Sequence, residues 1–304
     1  MKKSISTLFA VGLSIATLFA KTYADDKLKS SFITGDPEIE SINAIAFGPE
    51  GILFIGDSDK ASIVAIDTED EKESISTEQD NVSMQGVDNA IAEVFGTSPD
   101  NITIQDMAVS PLTKAIYFAI HHANGTPALI KLKEGSFEKV DLSNVSFSTI
   151  SINDPVKMDA KDRRGRSQRV WAISDLVFAD GKVMVTGLSD KEFSSTFRSL
   201  DFPFNSEQAQ SSLEIYHAAH GKYETYAPVK TFTTADINGQ PHIIASYTCT
   251  PLVLFPMSTL KPGEHTKGRT IAELGNWNTP LDMITMEKDG KNFLLLANSN
   301  RTVM

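Results

Sequence analysis

One two-strand pattern recurs five times along this chain, and it restricts the possible folds more than any other feature. An apolar residue, a spacer, a small or acidic residue and an apolar pair lead through a turn into a second apolar run. The copies are 42–47 with 51–56, 104–109 with 115–120, 173–178 with 182–187, 229–232 with 242–245, and 280–285 with 292–297. Their starts lie 62, 69, 56 and 51 residues apart. Pro49-Glu50-Gly51, Asp180-Gly181, Asn238-Gly239 and Asp289-Gly290 separate the halves of four copies. Such residues tolerate positive φ and predict tight hairpins. The first strand of each pair alternates, whereas the second is nearly all apolar, as a strand covered on both faces must be. Weaker outer pairs follow, as at 61–67 and 128–133. Four strands per repeat of this length predict an all-β fold, the β-propeller. A pair of β-sandwiches is the alternative, but sandwiches do not normally repeat a two-strand unit at this period. One helix is predicted at 87–95, as an insertion between the first two blades.

The chain ends inside its fifth repeat, at Asn298–Met304. Open sheet edges are a liability, and a propeller avoids them by closing its ring. The expectation is therefore a chain truncated at its C-terminus. The alternative hides irregular blades in residues 25–41 and 258–275.

The first residues set the compartment. Lys2 and Lys3 precede an apolar run from Leu8 to Ala20, and Lys21-Thr22-Tyr23-Ala24 offers small residues before a cut at Asp25. This is the layout of a secretory signal peptide over residues 1–24, leaving one propeller domain at 25–304 in the periplasm or outside the cell. The apolar run is short for a membrane span and nothing later approaches one, so no span is expected after cleavage. Losing Lys2, Lys3 and Lys21 leaves 25 basic residues against 39 acidic. That acidity argues against a nucleic-acid partner, because phosphate binding needs a positive surface. Cys249 is the only cysteine, so no internal disulfide forms and a large core must hold the fold.

The element Phe47-Gly-Pro-Glu-Gly-Ile-Leu-Phe54 and its relatives at 173–187 and 280–297 resemble blades of the broad propeller groups that include NHL and YVTN repeat proteins and the gluconolactonase-like enzymes. The resemblance spans about two-thirds of the chain at the level of a blade, a motif shared by many functions. It implies six or seven blades, with first-strand starts and second-strand ends meeting at one rim of a central channel. The loops after the second strands then bring His121, His122, Asn124, Cys249 and Asn298 to that rim as candidate ligand residues. Asp57, Asp59, Ser189 and Asp190 share these loops, and for them ordinary turn polarity is an equal reading.

Near the start of the first strands, equivalent positions hold Ala44, Asp106, Asp175, Thr231 and Asp282. Three acids aimed at one axis repel, and a hard divalent cation relieves that repulsion through oxygen ligands. Gluconolactonase-like propellers hold a divalent metal in this way, although the ligand pattern does not match position by position. Asp106, Asp175 and Asp282 are thus the candidate metal ligands; the alternative has each one accept backbone N–H groups within its own blade. His217 and His220 form a second candidate set, but positions three apart on a strand face opposite sides, and the run reads as a hairpin with His220 in its turn. Cys249 and Met257 could extend it to a copper site, though no spacing compels one. A cysteine at a strand end is most often a buried, inert thiol. Residues 193–210, with Phe193, Phe197, Phe202 and Phe204, read as an aromatic flap over the rim or as a loop on the outside of the ring.

These readings describe an exported propeller that binds a small molecule or a protein partner at its channel mouth. The competing classes are a metal-dependent hydrolase or lactonase using the channel carboxylates, and a copper or redox accessory protein. The export reading predicts that the mature protein begins at Asp25. Intact-mass measurement on exported material checks this, and a soluble exported form retaining residues 1–24 would refute it.

Overall fold

Each of the five repeats forms the antiparallel hairpin its sequence predicts. The computed structural model describes residues 27–70, 85–275 and 278–300; the predicted signal peptide lies outside them. Ala44–Phe47 pairs with Ile52–Asp57, Ile102–Val109 with Ile116–His122, and Asp175–Ala179 with Lys182–Leu188. Val229–Ile237 pairs with Gln240–Tyr247, and Pro280–Lys288 with Lys291–Asn298. The turns use the positive φ expected of them: Asp180 and Gly181 lie at 52° and 72°, Asn238 and Gly239 at 56° and 76°. In the first sheet the second strand is buried along its whole length, and all six residues of Ile52–Asp57 are covered.

Outer strands complete the sheets. The first sheet adds Ser62–Asp67, then Val145–Ser151, then Ile33–Gly35. The second adds Pro127–Lys133 and Ser136–Lys139. The third adds Ser195–Asp201, Gln208–His217 and Lys222–Glu224, with His265–Lys267 running parallel to the fourth strand. The fourth adds Pro251–Pro256 and Arg269–Glu273. Residues 25–41 and 258–275 therefore hold no extra blade where they are described. They supply edge strands to the first, third and fourth sheets.

The inner strands lie side by side, and their order is not the chain order. The strand Ala44–Phe47 sits between Ile102–Val109 and Asp175–Ala179; Val229–Ile237 follows, then Pro280–Lys288. The ring order is thus second, first, third, fourth, fifth. The buried clusters between sheets repeat this order. Ile45, Leu53 and Ile55 of the first sheet pack on Tyr117, Ala119 and Leu129 of the second. From the other face of the first sheet, Ile52, Phe54 and Ile63 pack on Leu176, Val183 and Val185 of the third. Phe197 and Leu213 meet Phe232 and Ile243 between the third and fourth sheets, and Leu252 and Leu254 meet Met283 and Leu296 between the fourth and fifth. The described part of the protein is an all-β propeller by this arrangement: twisted sheets stacked face to face around their inner strands.

The predicted helix forms at Val87–Val94. Its Ile91 is buried against Phe118 and Ile130, on the face of the second sheet that points away from the first. Inner-strand residues Met107 and Val109 at one end of the ring order, and Ile284 at the other together with Phe293 of its hairpin partner strand, are exposed. Among the described residues no helix is long and apolar enough to cross a membrane.

The aromatic flap read at 193–210 is not a flap. Ser195–Asp201 and the strand from Gln208 are the third and fourth strands of the third sheet. Phe197 enters the core, Phe202 and Phe204 pack on Phe54, and Phe193 lies 4.3 Å from the His265 ring. The Ser-Ser-Thr-Phe-Arg-Ser run hides a strand because both of its faces are covered by other sheets and not by its own apolar pattern.

Phe54 is fully buried, stacked on Phe178 at 5.5 Å and edge-on to Phe202 at 4.8 Å. Phe54→Ala is expected to cost roughly 3–5 kcal/mol of stability, the range for a large buried aromatic. Urea denaturation measures it; an unchanged midpoint would contradict the packing between the first and third sheets.

Candidate functional site

The channel wall is built by one local device used at equivalent positions. The inner strands of the second, fourth and fifth sheets each shift register just before Asp106, Thr231 and Asp282. A bulge of this kind re-aims the side chain that follows it. Asp175 reaches the same place at the start of its strand. Each aspartate accepts the N–H of the next residue through Oδ1: Met107 at 2.8 Å, Leu176 at 2.7 Å and Met283 at 2.6 Å. The second oxygen reaches across to the neighbouring sheet. Asp106 Oδ2 accepts Ile45 N–H at 2.7 Å, and Asp175 Oδ2 accepts Phe232 N–H at 2.7 Å. Thr231 Oγ1 donates to Asp282 Oδ1 at 3.4 Å. The own-blade reading thus describes only half of what Asp106 and Asp175 do. Their other half joins one inner strand to the next.

These acids sit where charge is costly. Burial, then the nearby Asp175 and Asp282 charges, hold the Asp106 carboxyl well above the usual carboxylate range. Burial, then the Asp282 charge, push Asp175 up to about 7. The backbone N–H donors pull both downward, and burial outweighs them. Burial thus disfavours the ionised forms of Asp106 and Asp175. The three carboxylates face a common channel, yet they are not the set whose ligand atoms crowd together. Among the described residues, the one group of three whose ligand atoms all lie within 4.8 Å of one another is His217, His220 and Cys249.

At the mouth of the channel lies a cavity of about 380 Å³. The first sheet contributes Ser41, Asn43 and Asp59 to it, and the second contributes Gln105, His121 and Gly125. The third contributes Trp171, Ile173 and Ser174, and the fourth Lys230. Of the candidate rim residues, His121 lines this cavity. Its Nε2 accepts Ile42 N–H at 2.9 Å, so the ring is held in the tautomer with its proton on Nδ1. Burial lowers its pKa, against the opposing pull of Asp59 and Asp57. His122 Nδ1 accepts Asn124 N–H at 3.2 Å, and Asn124 Oδ1 accepts Thr126 N–H at 3.0 Å; the two shape the loop beside the cavity. Asn298 Oδ1 accepts the Asn278 amide at 3.1 Å at the end of the fifth hairpin. Asp57 is buried and accepts the N–H groups of Glu40, Ser41 and Lys60, which is turn chemistry. Cys249 lies after the second strand of the fourth sheet, beside the histidine hairpin of the third.

Sequence reasoning overlooked Ser41, Asn43, Gln105, Trp171 and Lys230. They stand just before or within the first residues of the inner strands, next to the recurrent Asp/Thr position. The signal was available: whatever directs Asp106 at the channel places Gln105 toward the mouth.

No family model matches the chain, and no curated protein matches it in sequence. Solved structures are similar at low identity. One titled a streptogramin B lyase structure is 9% identical, with a TM-score of 0.33 over 90% of this chain and 85% of that one. The WD40 β-propeller domain of Doa1 is 10% identical, with a TM-score of 0.35 over 84% and 75%. A putative oxidoreductase (glucose dehydrogenase) from Thermus is 12% identical, with a TM-score of 0.28 over 88% and 87%. Likeness at this level carries no argument about function.

The raised Asp175 carboxyl has a signed consequence. Its folded pKa, about 7, lies above the unfolded value of 3.8, so its contribution is fully present below that unfolded value and is lost as pH rises through about 7. His121 acts oppositely: its depressed pKa gives stability above about 6.5 that is lost on acidification. Asp175→Asn removes the first effect and keeps the second. Urea midpoints at pH 5 and pH 8 are expected to favour the wild type more strongly at pH 5. A wild-type-minus-variant difference that is constant with pH would contradict the buried, proton-holding carboxyl.

Proposed function

We propose that this protein is an exported propeller that binds a small polar ligand at the mouth of its central channel. The observation that carries the reading is the cavity itself, whose wall is assembled from four sheets and combines one anion, one cation and an indole. Among the described residues neither the Asp59 carboxylate nor the Lys230 ammonium is engaged in an ion pair. Both remain available to a ligand, and the volume suits a molecule at the small end of ordinary sites. Trp171 offers a flat apolar face, while Asn43, Gln105 and Ser174 offer amide and hydroxyl groups to fix orientation. A ligand carrying both charges, or several hydroxyls, matches this lining. The predicted signal peptide supports export to the periplasm or beyond.

The hydrolase or lactonase reading needs a cation on Asp106, Asp175 and Asp282. Less supports it, because the first two carboxylates already accept two backbone N–H groups each.

A thermal-shift screen of amino acids, small sugars, lactones and short peptides tests the proposal. A true ligand raises the melting point of the wild type, and Lys230→Met or Asp59→Asn weakens it by roughly tenfold to a hundredfold, the worth of one charge-assisted hydrogen bond. Hits that bind both variants as tightly as the wild type would move the site away from the channel mouth.

A further inference from the structure

The turn that closes the outer hairpin of the third sheet brings together side chains the channel does not use. His217 ends the strand Gln208–His217, and Ala218–His220 forms a single 3-10 turn before Lys222–Glu224 returns. A 3-10 turn places residues three apart above one another. The His217 and His220 rings accordingly lie 4.0 Å apart, and the opposed faces expected of a strand do not apply here. Cys249 approaches from the loop between Gln240–Tyr247 and Pro251–Pro256 in the fourth sheet. One ligand atom from each of the three lies within 4.8 Å of the other two. Met257, the other soft donor, packs against the apolar cluster between the third and fourth sheets.

The surroundings are those of a prepared site. Glu224, itself buried, holds both imidazoles by the same edge: its Oε1 lies 2.7 Å from His220 Nδ1 and its Oε2 lies 3.3 Å from His217 Nδ1. A carboxylate on Nδ1 fixes the proton there and leaves Nε2 as the donor, the common outer-sphere arrangement of metal-binding histidines. His217 is fully buried, and its Nε2 lies 3.2 Å from Thr250 Oγ1. The same hydroxyl oxygen also lies against the Glu273 carboxylate. His220 is half exposed, which leaves a path for an ion to enter.

We propose that His217, His220 and Cys249 bind a zinc(II) ion across the boundary between the third and fourth sheets. Two imidazoles and a thiolate are borderline-to-soft donors, which favour zinc over calcium or magnesium. The oxygens of Thr250 and Glu273, or a water they hold, stand beside the set for a fourth position. Ligand atoms around a tetrahedral zinc are about 3.3–3.8 Å apart, given bond lengths of about 2.0–2.3 Å, so a set within 4.8 Å needs to contract by at most about 1.5 Å on binding. Binding releases the thiol proton and ties the His217–His220 turn to the Cys249 loop. This site is independent of the channel-mouth ligand and stands or falls separately from it.

The purified protein, stripped with chelator and titrated with zinc, tests the site. One equivalent is expected to bind, to raise the thermal midpoint and to protect Cys249, the only thiol, from alkylation. Cys249→Ser and His220→Gln are each expected to weaken binding at least tenfold to a hundredfold, while Asp106→Asn leaves it unchanged. Cobalt(II) in place of zinc should give a thiolate charge-transfer band that Cys249→Ser abolishes. Zinc that leaves Cys249 alkylation in the wild type unaltered would overturn the proposal whatever the variants do. So would undiminished binding in a folded Cys249→Ser protein, or binding lost in an Asp106→Asn protein that unfolds as cooperatively as the wild type.

Discussion

The aspartate that bridges two inner strands is the contact on which this architecture depends. In a stack of sheets the inner strands meet without a shared hydrogen-bond ladder, so their free N–H groups need partners from elsewhere. Asp106 and Asp175 supply them, each accepting one N–H from its own strand and one from the next sheet. The register shift before Asp106 turns its side chain toward that task. The same placement buries acids about one channel, and that burial, with their mutual repulsion added, raises Asp106 and Asp175 together. Structure and electrostatics are one arrangement here.

The order of the sheets adds a second tie. The chain builds the inner strands of the first sheet, moves to the second sheet on one side, and returns as Val145–Ser151 to the first sheet's outer edge. It then enters the third sheet on the other side. The first sheet thus holds both flanks of the chain and makes apolar contact in both directions. At the opposite end, His265–Lys267 leaves the fourth sheet's territory to pair in parallel with Gln208–His217. Glu214 secures that crossing by accepting from His265 at 2.7 Å and Lys267 at 3.0 Å.

The hairpins were legible because their two signals are local: period-two alternation, and turn residues that adopt positive φ. The helix at Val87–Val94 was legible for a similar reason, through its apolar spacing. The ring order was not, because it depends on which faces meet, and Ile45 and Ile52 read alike in sequence although they face different neighbours. The strand Ser195–Asp201 escaped because its polar residues are covered by other sheets. The aspartate positions stood out by repetition, while their bonds to a neighbouring strand did not, since a backbone partner leaves no mark in the sequence. The His217–His220 pair was legible as a candidate but discounted on strand alternation, which the three-residue turn cancels.

The channel mouth and the His217–His220–Cys249 cluster share one face by strand direction. Second strands end there, and in the third sheet the fourth strand ends there too. That face carries Asp59, Lys230, the Trp171 indole and Cys249. All of this presumes that the inner strands surround one channel in the order described. Site-resolved titration of the Asp106 and Asp175 carboxyl carbons by NMR tests that claim most directly. Both are expected to titrate above the ordinary carboxylate range, and both midpoints should fall when Asp282 is replaced by asparagine. Titration of both near 4, indifferent to Asp282, would show that the three acids do not share a channel.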